Sequence, residues 1–447
     1  MKRHNLYTLL AVTLLLAGLH AFADEGPTRF NTNDSGNSSG GTAIQPWKVV
    51  PLEPDYGGQW TVAGDLDGDG EIEIVSAENH NADDVHYTSA VAAQHLDGSV
   101  LWTWGDPDRG RKTWHHDVAC QVHDWDGDGA AEVVVLGDRE LVALDGVTGE
   151  AKKRFPIPEA ASDCLVFCDL SGRGRPTDVL VKTRYGRIWA YDRNGALLWE
   201  VENPGGYRTA HQPRPYDIDN DGRDEIMAGY AMLNADGSVR WVYKSKAVDQ
   251  GRGHLDCVRA YSKGGAPGEW RFVLTCCGAN NLAMIDGNGA VIWERSGHHF
   301  ESIDVGHILP GHEQPQLLVD IDHRPMGEGP LWVFDGAGNH VGAILTDYAR
   351  HHELIDWTGD GLCEIATTYN LALYGNDGNR VGTFVIPDFG PEDRQAEMSV
   401  HRGDFTGDGV PDLMITAPDR ACIYRNAQGK RPAPPAPLGT GLNVTLY

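Results

Sequence analysis

One repeated motif constrains this chain more than any other feature. The segment Asp65-Leu66-Asp67-Gly68-Asp69-Gly70-Glu71-Ile72-Glu73 returns as Asp124-Trp125-Asp126-Gly127-Asp128-Gly129 with Glu132. It returns again as Asp217-Ile218-Asp219-Asn220-Asp221-Gly222 with Glu225. Two copies carry threonine: Asp356 with Thr358, Asp360 and Glu364, and Asp404 with Thr406, Asp408 and Asp412. A decayed copy begins at Asp169 and has Arg173 where an acid would stand. Most steps between copies are 45–48 residues, and the gap from Asp217 to Asp356 is close to three steps. Two degenerate units therefore fall near Tyr261 and Ile308, which brings the count to eight.

A second motif runs in phase with the first. Asp97-Gly98, Asn194-Gly195, Asp236-Gly237 and Asn288-Gly289 are each flanked by apolar residues, with Trp102, Trp199, Trp241 and Trp293 four positions after the glycine. Asp-Gly and Asn-Gly favour two-residue hairpins because both central residues need a positive φ. Each unit then reads strand, acidic loop, strand, connection, strand, tight turn, strand. Four antiparallel strands every ~45 residues describe a propeller blade. The spacing predicts an all-β chain folded as an eight-bladed β-propeller.

The first residues read as a processing signal: basic Met1-Lys2-Arg3, an apolar run from Leu9 to Leu19, and Ala21-Phe22-Ala23 at the cleavage point. The expected organisation is a signal peptide over 1–23, a flexible Ser/Gly/Asn-rich leader over 24–46, and a single propeller domain over 47–447. Asn443–Tyr447 reads as a short strand that helps to close the ring. With 37 Lys+Arg against 64 Asp+Glu, the net charge of −27 opposes binding to a phosphate backbone and excludes nucleic acid as a partner. No later stretch is apolar enough to span a bilayer, so the expectation is a secreted or periplasmic monomer without membrane insertion. The eight cysteines have no zinc-type spacing and read as small buried residues.

Alternating carboxylates converge on one point, glycine permits the sharp turn, and a late acid closes an oxygen shell. The loops are therefore expected to hold several structural calcium ions, as in integrin-alpha-type repeats. Their ligands would be Asp65, Asp67, Asp69 and Glu73; Asp124, Asp126, Asp128 and Glu132; and Asp217, Asp219, Asp221 and Glu225.

Strand alternation puts these loops at one end of the ring and the starts of the first strands at the other. Of 19 histidines, nine lie at those starts: His115, His116, His211, His254, His298, His299, His351, His352 and His401. Lys182, Arg184, Tyr185 and Arg208 join them. A basic, His-rich mouth on a strongly acidic protein suits an anionic ligand.

The run His211-Gln-Pro-Arg-Pro-Tyr216-Asp-Ile-Asp-Asn-Asp-Gly-Arg-Asp-Glu225, followed by Gly253-His254-Leu255-Asp256, resembles the rhamnogalacturonan lyases of polysaccharide lyase family 11. The resemblance implies a secreted, calcium-rich eight-bladed propeller that cleaves a uronate-containing glycan by β-elimination. It also implies a divalent ion near the substrate, held by His211, His254 and Asp256. Where the family has a further acidic ligand, this chain has Cys276-Cys277-Gly278-Ala279-Asn280-Asn281.

β-Elimination needs the uronate carboxylate neutralised, a base for the C5 proton and an acid for the leaving oxygen. The expected roles are Arg184 for neutralisation, His116 as base and Tyr185 as proton donor. His115, Tyr207, Arg208, His299 and His352 are expected to bind an acidic, rhamnose–uronate type polysaccharide. The alternative is a non-catalytic, calcium-stabilised glycan-binding or adhesion propeller.

Overall fold

The computed structural model describes residues 32–33, 41–82, 85–110, 119–246, 248, 253–322, 331–345, 351–389, 398–432 and 442–445. The expected signal peptide, His115 and His116 lie outside them. Within them the chain forms eight antiparallel blades around one axis. Blade one is Trp60–Gly64, Glu73–Ala82, Val85–Gln94 and Val100–Gly105, paired in that order from the axis outward. The inner strands of the next six blades are Cys120–His123, Leu165–Cys168, Thr209–Tyr216, Leu255–Ser262, His299–Gly306 and His352–Ile355. Blade eight begins at Ser399–Gly403. The two degenerate units are the blades that begin at Leu255 and His299. Blades four and five are tied by a parallel bridge between Ala210 and Leu255.

Ring closure differs from the expectation. Blade eight takes its outer strand from the front of the chain: Lys48–Pro51 pairs antiparallel with Arg420–Tyr424. Residues 442–445 form no strand and instead run inside the ring. The Asn443 amide accepts from Phe167 N at 2.7 Å and donates to Phe167 O at 2.8 Å, so it completes the axis-facing edge of blade three. Gln121 exchanges hydrogen bonds with the Val444 backbone at 2.9 and 3.1 Å. An inner strand has no neighbour on its axial side, so its backbone groups need partners from elsewhere. Asn443 supplies them.

Within the stretch expected to be a leader, Thr42–Ile44 adds a parallel fifth strand to blade seven. Thr32–Asn33 does the same for blade six.

The in-phase tryptophans hold neighbouring blades together. The indole N–H of Trp102 donates to Gly146 O at 2.7 Å, Trp199 to Ala235 O at 2.9 Å, Trp241 to Gly287 O at 2.9 Å and Trp293 to Gly336 O at 3.1 Å. Each acceptor lies in the outer turn of the following blade. The turn glycine then packs flat on the ring, and two demands meet at that position. Gly237 has φ +81°, and a Cβ there would lie 2.6 Å from the Trp199 ring. Gly237→Ala is therefore expected to destabilise the fold by about 1–3 kcal/mol, read as a lower denaturant midpoint. Apolar side chains fill the remaining space between blades, as with Trp60, Val75, Val91, Val133 and Val135 between blades one and two.

Inner strands around the axis line a cavity of about 780 Å³. It contains Arg214, Arg259, Asp304, Glu353 and Arg402. Burial pushes the Glu353 carboxyl up to about 8, against the opposing pull of Arg402.

Candidate functional site

The mouth opposite the acidic loops is built from strand starts and from second-to-third connections. In blade three the connection between Asp178–Lys182 and Arg187–Tyr191 carries Arg184 and Tyr185. The Arg184 Nε donates to the Tyr185 hydroxyl at 2.8 Å, and the guanidinium lies 5.1 Å from the Tyr185 ring centre. Arg208, exposed at the start of blade four, approaches the same ring at 5.6 Å. Two cations therefore lie close to one phenol.

A buried network fixes this pair from below. Lys182 Nζ donates to Asp163 Oδ2 at 2.6 Å and to Arg184 O at 2.6 Å. His86 Nδ1 is 2.6 Å from Asp163 Oδ1, and its Nε2 is 3.4 Å from Arg184 Nη1. A carboxylate that accepts from Nδ1–H leaves Nε2 as the acceptor, facing the guanidinium. Burial alone would raise the Asp163 carboxyl. The Lys182 ammonium and His86 outweigh burial and hold it well below the ordinary range. The His86 contribution was missed in the sequence because it does not sit at the start of a first strand. It lies on the long hairpin of blade one, whose strands run ten residues each. The available signal was positional: His80 and His86 lie near the mouth ends of the second and third strands of blade one, as Lys182 ends the second strand of blade three.

Beside Tyr185 stand His211 and His254, with ring centres 5.3 and 4.2 Å from it. His254 Nε2 is 2.9 Å from Asp256 Oδ1, and His211 Nε2 is 3.6 Å from the same oxygen. His299 Nε2 is 2.9 Å from Glu301 and 3.9 Å from Asp256 Oδ2. Burial first, and then Lys182, push the His211 imidazole down to about 3. Burial and the neighbouring His211 push His254 down to about 2. Both imidazoles are neutral at pH 7 and able to offer lone pairs.

The structure thus brings Arg184, Tyr185, Arg208, His211, His254, Asp256 and His299 into one region. Tyr207 packs on Tyr230 at 5.3 Å, at the edge of the same region. His352 is not brought there. It lines the axial cavity, 3.6 Å from Asp304. The donors around Asp256 are imidazoles, carboxylates and the Cys277 thiol. Calcium takes about six to eight oxygen ligands, so this set does not suit calcium.

The acidic loops are more varied than their sequences suggest. In blade two, Lys152 from the outer strand reaches into the loop, with Nζ at 2.9 Å from Asp126, 3.1 Å from Asp128 and 2.6 Å from Glu132. In blade four, Arg240 does the same, at 2.8 Å from Asp219 and 3.1 Å from Glu225. In blade one, Asp65, Asp67 and Asp69 cluster, and His95 is 3.2 Å from Glu73. The decayed loop of blade three closes on itself, with Arg173 N and Gly174 N donating to Asp169.

Among the described residues, no helix is long and apolar enough to cross a membrane. No family model matches the chain. Over 235 residues it is 28% identical to the rhamnogalacturonan exolyase YesX of Bacillus subtilis, covering 39% of this chain and 38% of that protein. Over 287 residues it is 26% identical to the rhamnogalacturonan endolyase YesW of the same organism, covering 48% of this chain and 45% of that protein. The chain thus spans less than half the length of either relative. Among solved structures, the Bacillus licheniformis rhamnogalacturonan lyase PL11 superposes with a TM-score of 0.60 at 19% identity. That match covers 85% of this chain and 75% of the other.

Proposed function

We propose that this chain, a distant relative of the rhamnogalacturonan lyases, is an exported polysaccharide lyase that cleaves a rhamnose–uronate type glycan by β-elimination. The observation that carries this reading is the phenol of Tyr185 with two guanidiniums close to its ring. Arg184 and Arg208 offer paired donors to the uronate carboxylate, which draws electron density from C5. A base then removes the C5 proton, the C5–H electrons form the C4–C5 double bond, and the C4–O4 bond breaks. Tyr185 gives its proton to the departing oxygen, and Arg184 stabilises the charge left on the phenolic oxygen. In this reading His116 is the base.

The test is incubation with pectic and ulvan-type polymers while recording the ultraviolet absorbance of unsaturated uronate products. Binding of these polymers with no unsaturated product from any of them would replace the lyase by a binding module.

Calcium is proposed for the loops at the other end, foremost that of Asp65, Asp67, Asp69 and Glu73. In blade two the Lys152 ammonium already sits among the carboxylates, so calcium has to displace it. Lys152→Met should make that loop depend on calcium. The variant's melting temperature should rise with calcium more steeply than the wild type's. Saturation at a hundredfold excess over Kd corresponds to about 2.7 kcal/mol. Equal calcium responses in the two proteins would reject the idea.

A further inference from the structure

We propose that Asp256, Cys277 and His299 form a ligand set for a zinc-class transition ion, sharing Asp256 with the His211–His254 pair. Their ligand atoms all lie within 4.8 Å of one another. A tetrahedral zinc site with Zn–N about 2.0 Å and Zn–S about 2.3 Å has ligand separations of about 3.3–3.8 Å, so closure on an ion needs shifts of about an ångström. Imidazole, thiolate and carboxylate together favour a borderline or soft ion over calcium or magnesium. Glu301, 2.9 Å from His299 Nε2, is a fourth donor at hand.

The fold fixes each donor. Asp256 is the second residue of the inner strand Leu255–Ser262, and His299 opens the inner strand His299–Gly306 of the next blade. Cys277 lies in the turn that joins Arg271–Cys276 to Asn281–Asp286, where Gly278 and Asn280 adopt positive φ values of 73° and 49°. Two contacts hold that turn. Asn281 Nδ2 donates to the Tyr243 hydroxyl at 3.0 Å, and Ser296 Oγ donates to Asn281 Oδ1 at 2.8 Å. The backbone of Gly253 presses against it so closely that a Cβ there would lie 1.8 Å from Cys277 O. The segment entering His254 and the turn bearing Cys277 are therefore locked to each other. Asp256 presents Oδ1 to His254 and Oδ2 towards His299. The two sets thus use different faces of one carboxylate.

The set stands whatever glycan the mouth receives, and its test reads metal rather than turnover. The full chain is stripped with a chelator under reducing conditions and titrated with Co²⁺. The expected result is a visible d–d spectrum with a thiolate-to-cobalt charge-transfer band in the near ultraviolet. Cys277→Ser should abolish that band, whereas Cys276→Ser should keep it. His299→Gln should weaken Co²⁺ binding at least tenfold. Circular dichroism of each variant checks that the fold is retained. If Cys277→Ser does not fold, alkylation of native protein supplies the second measurement: bound Zn²⁺ should protect one thiol. Cobalt binding without a thiolate band, a band that survives Cys277→Ser, no protection of a thiol, or no binding at micromolar Co²⁺ would each overturn the proposal.

Discussion

Tyr185→Phe is expected to lower turnover on a uronate polymer by about a hundredfold or more while leaving the melting transition in place. The ring stays, so its contacts with His211 and His254 stay too, and the hydroxyl is lost with its proton and the hydrogen bond it accepts from Arg184. Arg184→Ala should act differently. It removes a donor to the carboxylate that is used when substrate is held and used more strongly as the enolate-like state develops. KM should therefore rise and kcat fall together. Asp65→Ala, on the opposite end of the ring, is the control and should leave turnover per folded molecule unchanged. Steady-state kinetics on folded, concentration-matched protein distinguishes the three. A Tyr185→Phe enzyme with wild-type kcat would remove Tyr185 from the chemistry.

Lys182→Met is expected to be the most damaging single change to stability. Lys182 and Asp163 are each 1% exposed and 2.6 Å apart, and loss of the ammonium leaves a buried carboxylate facing only His86. Breaking such a pair from one side typically costs about 3–5 kcal/mol. Lys182→Met combined with Asp163→Leu should recover much of that loss, because no buried charge is then left alone. Denaturant unfolding of the two single variants and the double variant measures the coupling. Acid should mimic part of the effect. The Asp163 carboxyl is held below its ordinary 3.8, so it contributes stability above that pH that is lost progressively as pH falls below it. A Lys182→Met protein within 1 kcal/mol of wild type would show that the network is not stabilising.

The repeat was legible because it is local: every blade writes its own acidic loop and its own Asp-Gly or Asn-Gly turn. That sufficed for eight blades and for the two degenerate units, and the run from His211 to Glu225 with His254 and Asp256 carried the resemblance to rhamnogalacturonan lyases. What was not legible depends on partners far apart in the chain. Lys48–Pro51 has no special composition, and its role follows only from the free outer edge of blade eight. Asn443 looked like part of a strand, yet its amide is used against Phe167. Lys152 and Arg240 lie on outer strands, and only the pleat turns them into the acidic loops. At the mouth, the strand starts pointed to His211, His254, Asp256 and His299. His86 came instead from the long hairpin of blade one, away from the first strands where the other histidines gather.

The pairing of Lys48–Pro51 with Arg420–Tyr424 sets an order of events in the life of the molecule. Val49 faces Cys422 across the sheet. Lys48–Pro51 must therefore wait for this partner until Arg420–Tyr424 has been synthesised. Blades can form as they emerge, but the circle cannot shut early. A contact of such long sequence separation is slow to make, and it commits the molecule only at the end.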